Sequence, residues 1–309
     1  MDENTQEIVR ALSFNHSLAL TSTQADIIKH TKQYAWTRHL HYYDNPNSDP
    51  PEYCSLMSPP KDDHDNLLYA IKNFTINFES RPKFHLLMLV HLLQDLHQPL
   101  HLSGKSRGGN GVMITLPNSR RQVSLHEYWD TIVIHQAQSE TNGKLLEYVT
   151  TAARYMTCDE NSPERWARET ERINCELVWT DPTDPSYHER ATNVAIHLLI
   201  RASIRTKCYL TDVLSKKKMA WYIRTLDMAE SSQEDTLKFY DKAAQCPWMQ
   251  DTVRRCPWMD KQFRACPYLN TKFPPPQQEQ VGQQLPPITN RVTPSGLLVP
   301  HFDPMSSDE

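Results

Sequence analysis

Two His/Asp pairs in this chain are spaced four residues apart, His91 with Asp95 and His126 with Asp130. On a helix that spacing puts both side chains on one face. Imidazole nitrogen and carboxylate oxygen together form a ligand set suited to zinc. The first pair lies in VHLLQDLHQPLH, Val90 to His101, where Pro99 should stop the helix and leave His101 on an extended stretch. Asp95 sits among leucines, a costly place for a carboxylate unless it is paired or metal-bound. The second pair lies in LHEYWD. With Asp26 and His41 the candidate metal ligands number seven: Asp26, His41, His91, Asp95, His101, His126 and Asp130. Catalytic zinc sites keep one position open for water, so the chemistry implied is hydrolysis. A histidine taken alone is more often a surface or hydrogen-bonded core residue, and His16, His30, His39, His64, His85 and His97 are read that way.

The elements that must position these ligands are helices. Apolar residues recur at helical spacing over 5–13, 23–42, 64–79, 82–98, 123–137, 142–157, 163–180 and 186–215. Ser162-Pro163-Glu164 has the form of a helix start. The exception is 103–121, which holds four of the 7 glycines and reads as a loop with one short strand or hairpin, VMITL. Three regions follow: 1–215 as the ligand-bearing domain, 216–271 as an extension, and 272–309 as a Pro/Gln-rich tail expected to be disordered. The extension repeats Cys246-Pro-Trp-Met, Cys256-Pro-Trp-Met and Cys266-Pro-Tyr-Leu at ten-residue intervals, too few and too short for a solenoid.

Composition excludes several function classes. The 309 residues carry a net charge of -4, with a pI of about 6.4, so nucleic acid is not held by a globally basic surface. A metal site can still supply positive charge locally. No run of about 18 apolar residues is present, so no membrane-spanning helix is expected. The start, MDENTQEIVRALSF, is acidic and lacks the apolar core of a signal peptide. The 7 cysteines include no CxxC pair, which argues against a cysteine zinc site. Asn15-His16-Ser17 and Asn73-Phe74-Thr75 are glycosylation sequons.

Taken in order, QADIIKH, AWTRHLHYYD, VHLLQDLHQPLH, GGN and LHEYWD resemble the class I nucleases. These are zinc-dependent single-strand-specific nuclease/3′-nucleotidases of fungi, plants and protozoa, and they share a fold with bacterial zinc phospholipase C. The resemblance runs from about residue 5 to 215. It implies an all-α fold, a compact multi-helix domain with a zinc cleft. It implies one zinc on Asp26, His41, His91 and Asp95, a second on His101, His126 and Asp130, and Asp95 bridging to a third. It implies that Asp26 orients the attacking water, that Lys29 and Asn110 contact phosphate, and that Tyr42 and Asp44 hold a base. Cys54 and Cys175 match the family's long-range disulfide, and the secretory pathway is the implied location. The substrates implied are single-stranded DNA and RNA, cleaved to 5′-phosphorylated products, and 3′-nucleotides. Gln24 stands where the family usually has Trp. The family's N-terminal Trp and nearby His, ligands of the third zinc, have no match before Asp26, so the domain is expected to be N-terminally incomplete. Two alternatives remain: a zinc phospholipase C, and a catalytically impaired zinc-binding protein whose CPWM segment serves an unknown partner.

Overall fold

The structure is a computed structural model. It describes residues 1, 3–13, 18–116, 121–155, 157–158, 162–184 and 186–216, together with the backbone of 288–292 and 298–302. The described chain is mostly helical, as the resemblance implies. Its helices are α1 (Glu3–Leu12), α2 (Leu18–Ile28), α3 (Leu67–Ile76), α4 (Pro82–Asp95), α5 (Leu125–Glu127), α6 (Val133–Glu140), α7 (Leu145–Tyr155), α8 (Pro163–Ile173) and α9 (Tyr187–Lys216). The strands occur only as antiparallel pairs among the described residues: β1 (Ser48–Asp49) with β2 (Tyr53–Cys54), β3 (Met113–Thr115) with β4 (Gln122–Ser124), and β5 (Ile288–Val292) with β6 (Leu298–Phe302). The last pair falls within the tail expected to be disordered; the CPWM segment lies outside the described residues.

The chain divides into two compact units. The first takes in Met1–His41, His64–Leu93 and Arg205–Gln278. Its core is built from Ile8 and Leu12 of α1, Leu20 and Ile28 of α2, Leu67, Ile71 and Phe74 of α3, and Leu210 and Leu214 of α9, all buried. In α4, Leu86, Met88, Leu89, Val90, Leu92 and Leu93 are all buried, while Lys83, Leu87 and Gln94 form the more open stripe of the helix. Asn66 caps α3 by accepting from the Tyr69 amide at 2.9 Å. The helix expected over 23–42 ends at Ile28, and a 3-10 turn over Ala35–His41 replaces its second half. Threonine hydroxyls bond the carbonyls on either side of the break. The Thr31 hydroxyl donates to the Ile28 carbonyl at 2.7 Å and Thr37 to Tyr34 at 2.8 Å, offering the backbone carbonyls a partner outside an α-helix.

The second unit takes in Tyr42–Asp63, Gln94–Ile204 and Glu279–Glu309. Its core joins Leu100, Leu125, Tyr128, Trp129, Val133, Val178, Tyr187 and Ala191. Trp129 Nε1 donates to the Tyr187 hydroxyl at 3.1 Å, which donates onward to the Val178 carbonyl at 2.9 Å, so both polar handles are satisfied inside. Ser162 caps α8 with Pro163 in its first turn, as its sequence predicts. Cys54 and Cys175 form a disulfide with their Cα atoms 5.8 Å apart, across a separation of 121 residues. Beside it the fully buried Glu171 accepts from the Ser48 hydroxyl and from the Asn45 amide. Cys158 of this unit is also disulfide-bonded.

Candidate functional site

Among the described residues, each unit carries one group of side chains that could hold a metal ion. In the first unit, α2 supplies Asp26, the last residue of the 3-10 turn is His41, and α4 supplies His91. His41 Nδ1 lies 2.9 Å from His91 Nε2, and Asp26 Oδ1 lies 3.8 Å from the first and 3.6 Å from the second. Two donors on a zinc ion at about 2.0–2.1 Å in tetrahedral geometry stand roughly 3.3 Å apart. The three atoms therefore already have the spacing of one face of such a site. The tautomer of His91 agrees. Its Nδ1 faces the Ser22 carbonyl at 2.6 Å and must carry the proton to donate, which leaves the Nε2 lone pair aimed into the group. His41 and His91 are buried, and Asp26 is the partly open member. Lys29 Nζ donates to Asp26 Oδ1 at 2.5 Å, one helical turn on.

In the second unit the ligands come from loops and short turns. His101 lies in a 3-10 turn over Pro99–Leu102, not on the extended stretch expected after Pro99. The Gln98 side chain caps that turn by accepting from the Leu100 amide at 2.5 Å, and proline fits the first position because it needs no donor there. His126 sits in α5 and Asp130 in the π-helical turn Tyr128–Ile132 that follows. His126 Nε2 lies 3.1 Å from Asp130 Oδ2, and His101 Nε2 lies 3.6 Å from Asp130 Oδ1. The two imidazoles stack with centroids 5.3 Å apart. Asp95 joins this group: its Oδ1 is 3.4 Å from His101 Nδ1. Desolvation pushes the Asp130 carboxyl up, but the His126 bond, the nearby imidazoles and the Gln98 amide outweigh it and hold the group below its ordinary value. For His126 burial pushes down, while Asp130 and the Gly108 carbonyl push up and prevail.

Three residues near these ligands were not singled out by sequence. The Ser22 carbonyl anchors His91, the Gly108 carbonyl meets His126 Nδ1 at 2.7 Å, and Gln98 Nε2 donates to Asp130 Oδ1 at 2.5 Å. Gly108 has φ +60°, and a Cβ there would come within 2.9 Å of the Leu100 carbonyl, so the loop closes on His126 only because this residue is glycine. The GGN triplet was the available signal. Backbone carbonyl anchors leave no mark on residue type, and Ser22 could not have been found that way.

The remaining candidates stand as follows. Asn110 is exposed and donates its amide to the Arg107 carbonyl at 2.9 Å. Tyr42 is half-buried and Asp44 exposed. They flank Tyr43, whose amide donates to the His101 carbonyl at 2.7 Å. Asp44 packs against Gly104, where an added Cβ would meet the Asp44 Cβ at 3.4 Å. Asn73 lies inside α3 with its side-chain oxygen bonded to Asn77, and the sequon at Asn15 lies outside the described residues.

A mostly helical body with two His/Asp groups whose donor atoms lie close enough to share a metal ion has the form of a helical metal-binding protein. The comparison with known proteins is narrower. The S1/P1 nuclease family matches residues 1–215, and the chain belongs to that family, whose members hydrolyse phosphodiester bonds. Endonuclease 4 of Arabidopsis thaliana is 28% identical over 215 residues, covering 59% of this chain and 71% of that protein. Endonuclease 1 of the same plant is 34% identical over 140 residues, covering 40% of this chain and 44% of that protein. Nuclease S1 of Aspergillus oryzae is 30% identical over 132 residues, covering 39% and 43%. The last two matches span less than half of those proteins.

Proposed function

We propose that this chain is a zinc-dependent endonuclease of single-stranded DNA and RNA that leaves 5′-phosphorylated ends and also removes phosphate from 3′-nucleotides. The observation that carries the reading is the His41–His91–Asp26 geometry, in which three donors from distant parts of the sequence stand 2.9–3.8 Å apart with His91 held in the ligating tautomer. Asp26, His41 and His91 would hold one ion, and His101, His126 and Asp130 a second, with Asp95 beside His101. When bound, zinc supplies Lewis acidity that makes water a nucleophile near neutral pH and offsets the charge developing on phosphate. Asp26, the open member of its group, would orient the attacking water through the carboxylate oxygen not turned to the histidines. Lys29 sits on that carboxylate and would swing to phosphate as a point charge. Asn110 would donate to a phosphate oxygen after releasing its loop bond. Tyr42 and Asp44 would take a base by stacking and hydrogen bonding. The oxidised cysteines support a disulfide-permitting compartment such as the secretory pathway. No helix among the described residues is long and apolar enough to cross a membrane.

Purified full-length protein tests this directly. With zinc added it should cut a labelled single-stranded oligonucleotide at internal bonds, leave 5′-phosphates detectable by mass, and release phosphate from 3′-AMP. Elemental analysis should give two zinc ions per chain. Fewer than one zinc, or no cleavage with zinc in excess, would overturn the proposal. Hydrolysis of phosphatidylcholine vesicles but not of oligonucleotides would favour the phospholipase reading.

A further inference from the structure

The segment between Asp26 and His41 interleaves cations and aromatics: Lys29, Lys32, Tyr34, Trp36 and Arg38. In the first unit this segment meets the start of α4. Tyr34 and Phe84 stack with ring centroids 5.3 Å apart and 20° between planes. Arg81 lies over Phe84 with Cζ 4.6 Å from the ring centroid and donates to the Tyr34 hydroxyl at 3.4 Å. Trp36 stands at the edge of this stack, 6.0 Å from the Phe84 ring, with 51% of its surface exposed. Trp129 and Trp166, by contrast, are buried. Core packing explains Tyr34 and Phe84, which pin the 3-10 turn to α4. It does not explain half of a tryptophan left in water next to Phe84. Lys32 and Arg38 are exposed on the same segment, with Arg38 Nε donating to the Lys29 carbonyl at 2.9 Å. Phe84 is two helical turns before His91 on the same face of α4, so the stack lies about 10 Å along that helix from the metal-ligand group.

We propose that Trp36, with Tyr34, Phe84 and Arg81, is a stacking subsite for a base of single-stranded nucleic acid one or two nucleotides from the bond that is cut, with Lys32 and Arg38 facing the intervening phosphates. This rests on the nuclease reading above. Exposed aromatics interleaved with cations are what a flexible polyanion with stackable bases requires. A lone phosphate would not need the ring, and a purely apolar partner would not need the cations. Arg81 stacked on Phe84 adds a second flat cationic surface. The subsite accepts any base, because every base has a π face, and it favours chains longer than a dinucleotide.

The test uses the full zinc-loaded chain and a fluorescein-labelled phosphorothioate deoxythymidine decamer, which resists cleavage. Trp36→Ala should weaken binding by about 5- to 100-fold, the range for loss of one stacked base, and Trp36→Phe should restore most of it. Lys32→Gln should lower the slope of log affinity against log salt by about 0.7, the value for one single-strand phosphate contact. With cleavable substrates, Trp36→Ala should lower kcat/KM for the decamer and leave that for a dinucleotide within twofold. A residue that only braced the turn would lower the melting temperature and affect both substrates alike. Unchanged decamer affinity in Trp36→Ala, or equal losses on both substrates, would overturn the subsite while leaving the nuclease reading intact. Trp36-dependent binding with no cleavage of either substrate would sink the nuclease reading and keep the subsite as a nucleic-acid-binding surface.

Discussion

The two ligand groups are assembled by opposite means. Asp26, His41 and His91 come from two helices and a 3-10 turn, separated by up to 65 residues, with both histidines buried under core side chains. His101, His126 and Asp130 are more open and are held by short-range devices: an i,i+4 pair, the Gln98 cap and the Gly108 carbonyl. The first group has its geometry because a core is packed around it, and the second because loops are hydrogen-bonded to it. Damage to packing should therefore be felt in the first, and damage to single hydrogen bonds in the second.

The largest effect should come from the first group itself. His91→Ala removes a ligand and its Ser22 anchor together, and cleavage should fall by about 10³-fold, the scale for losing a preorganised electrostatic contact at a reacting centre. The zinc count should drop by one. A loss under tenfold would mean that this group is not the metal centre. Next is Cys175→Ser in the second unit. Opening a loop of 121 residues should cost about 2–5 kcal/mol in unfolding free energy, read by denaturant titration. If zinc affinity at the second group stays unchanged at temperatures where the variant is folded, its hydrogen bonds suffice to hold it.

Gln98→Met tests those bonds more finely. It keeps the side-chain volume but removes both the cap on the His101 turn and the donor to Asp130. Zinc affinity at the second group should weaken by 10- to 100-fold against a chromophoric chelator, the usual penalty for losing a hydrogen bond that orients a ligand. The first group should be untouched. Equal weakening of both would erase the distinction drawn between them.

The smallest expected effect is electrostatic. Burial pushes the Glu171 carboxyl above its ordinary value, and the Ser48 and Asn45 bonds only partly offset this. A raised carboxylic pKa means that the folded state prefers the proton. The group's contribution to stability is present below the unfolded pKa and is lost as pH rises through the folded value. Glu171→Gln keeps an oxygen for Ser48 and Asn45 and removes that dependence. Its stability relative to wild type should therefore grow from acid to neutral pH in chemical denaturation. A difference independent of pH would show that Glu171 is ionised in the fold at no cost.

How far the sequence reached varied by element. His126 and Asp130 were legible because a four-residue period is a property of any helix, and Asp95 because a carboxylate among leucines needs a reason. The break after Ile28 was missed, because apolar periodicity over 23–42 continues through Tyr34 and Trp36 and gives no sign of it. His101 was placed on extended chain because Pro99 ends a helix, but proline also starts a turn when a side chain such as Gln98 caps it.

Residue type and spacing, with the family resemblance, thus pointed to the helical class and the candidate metal ligands, because periodicity and ligand preference are local properties of the chain. Tertiary structure decided which candidates meet. It set Asp26 against His91 and turned His91 to the Ser22 carbonyl, drew Asp95 to His101, and left Trp36 half in water at the edge of Phe84. Those outcomes depend on close packing and backbone carbonyls contributed by residues far apart in the chain, and neither is written in the identity of the residues they position.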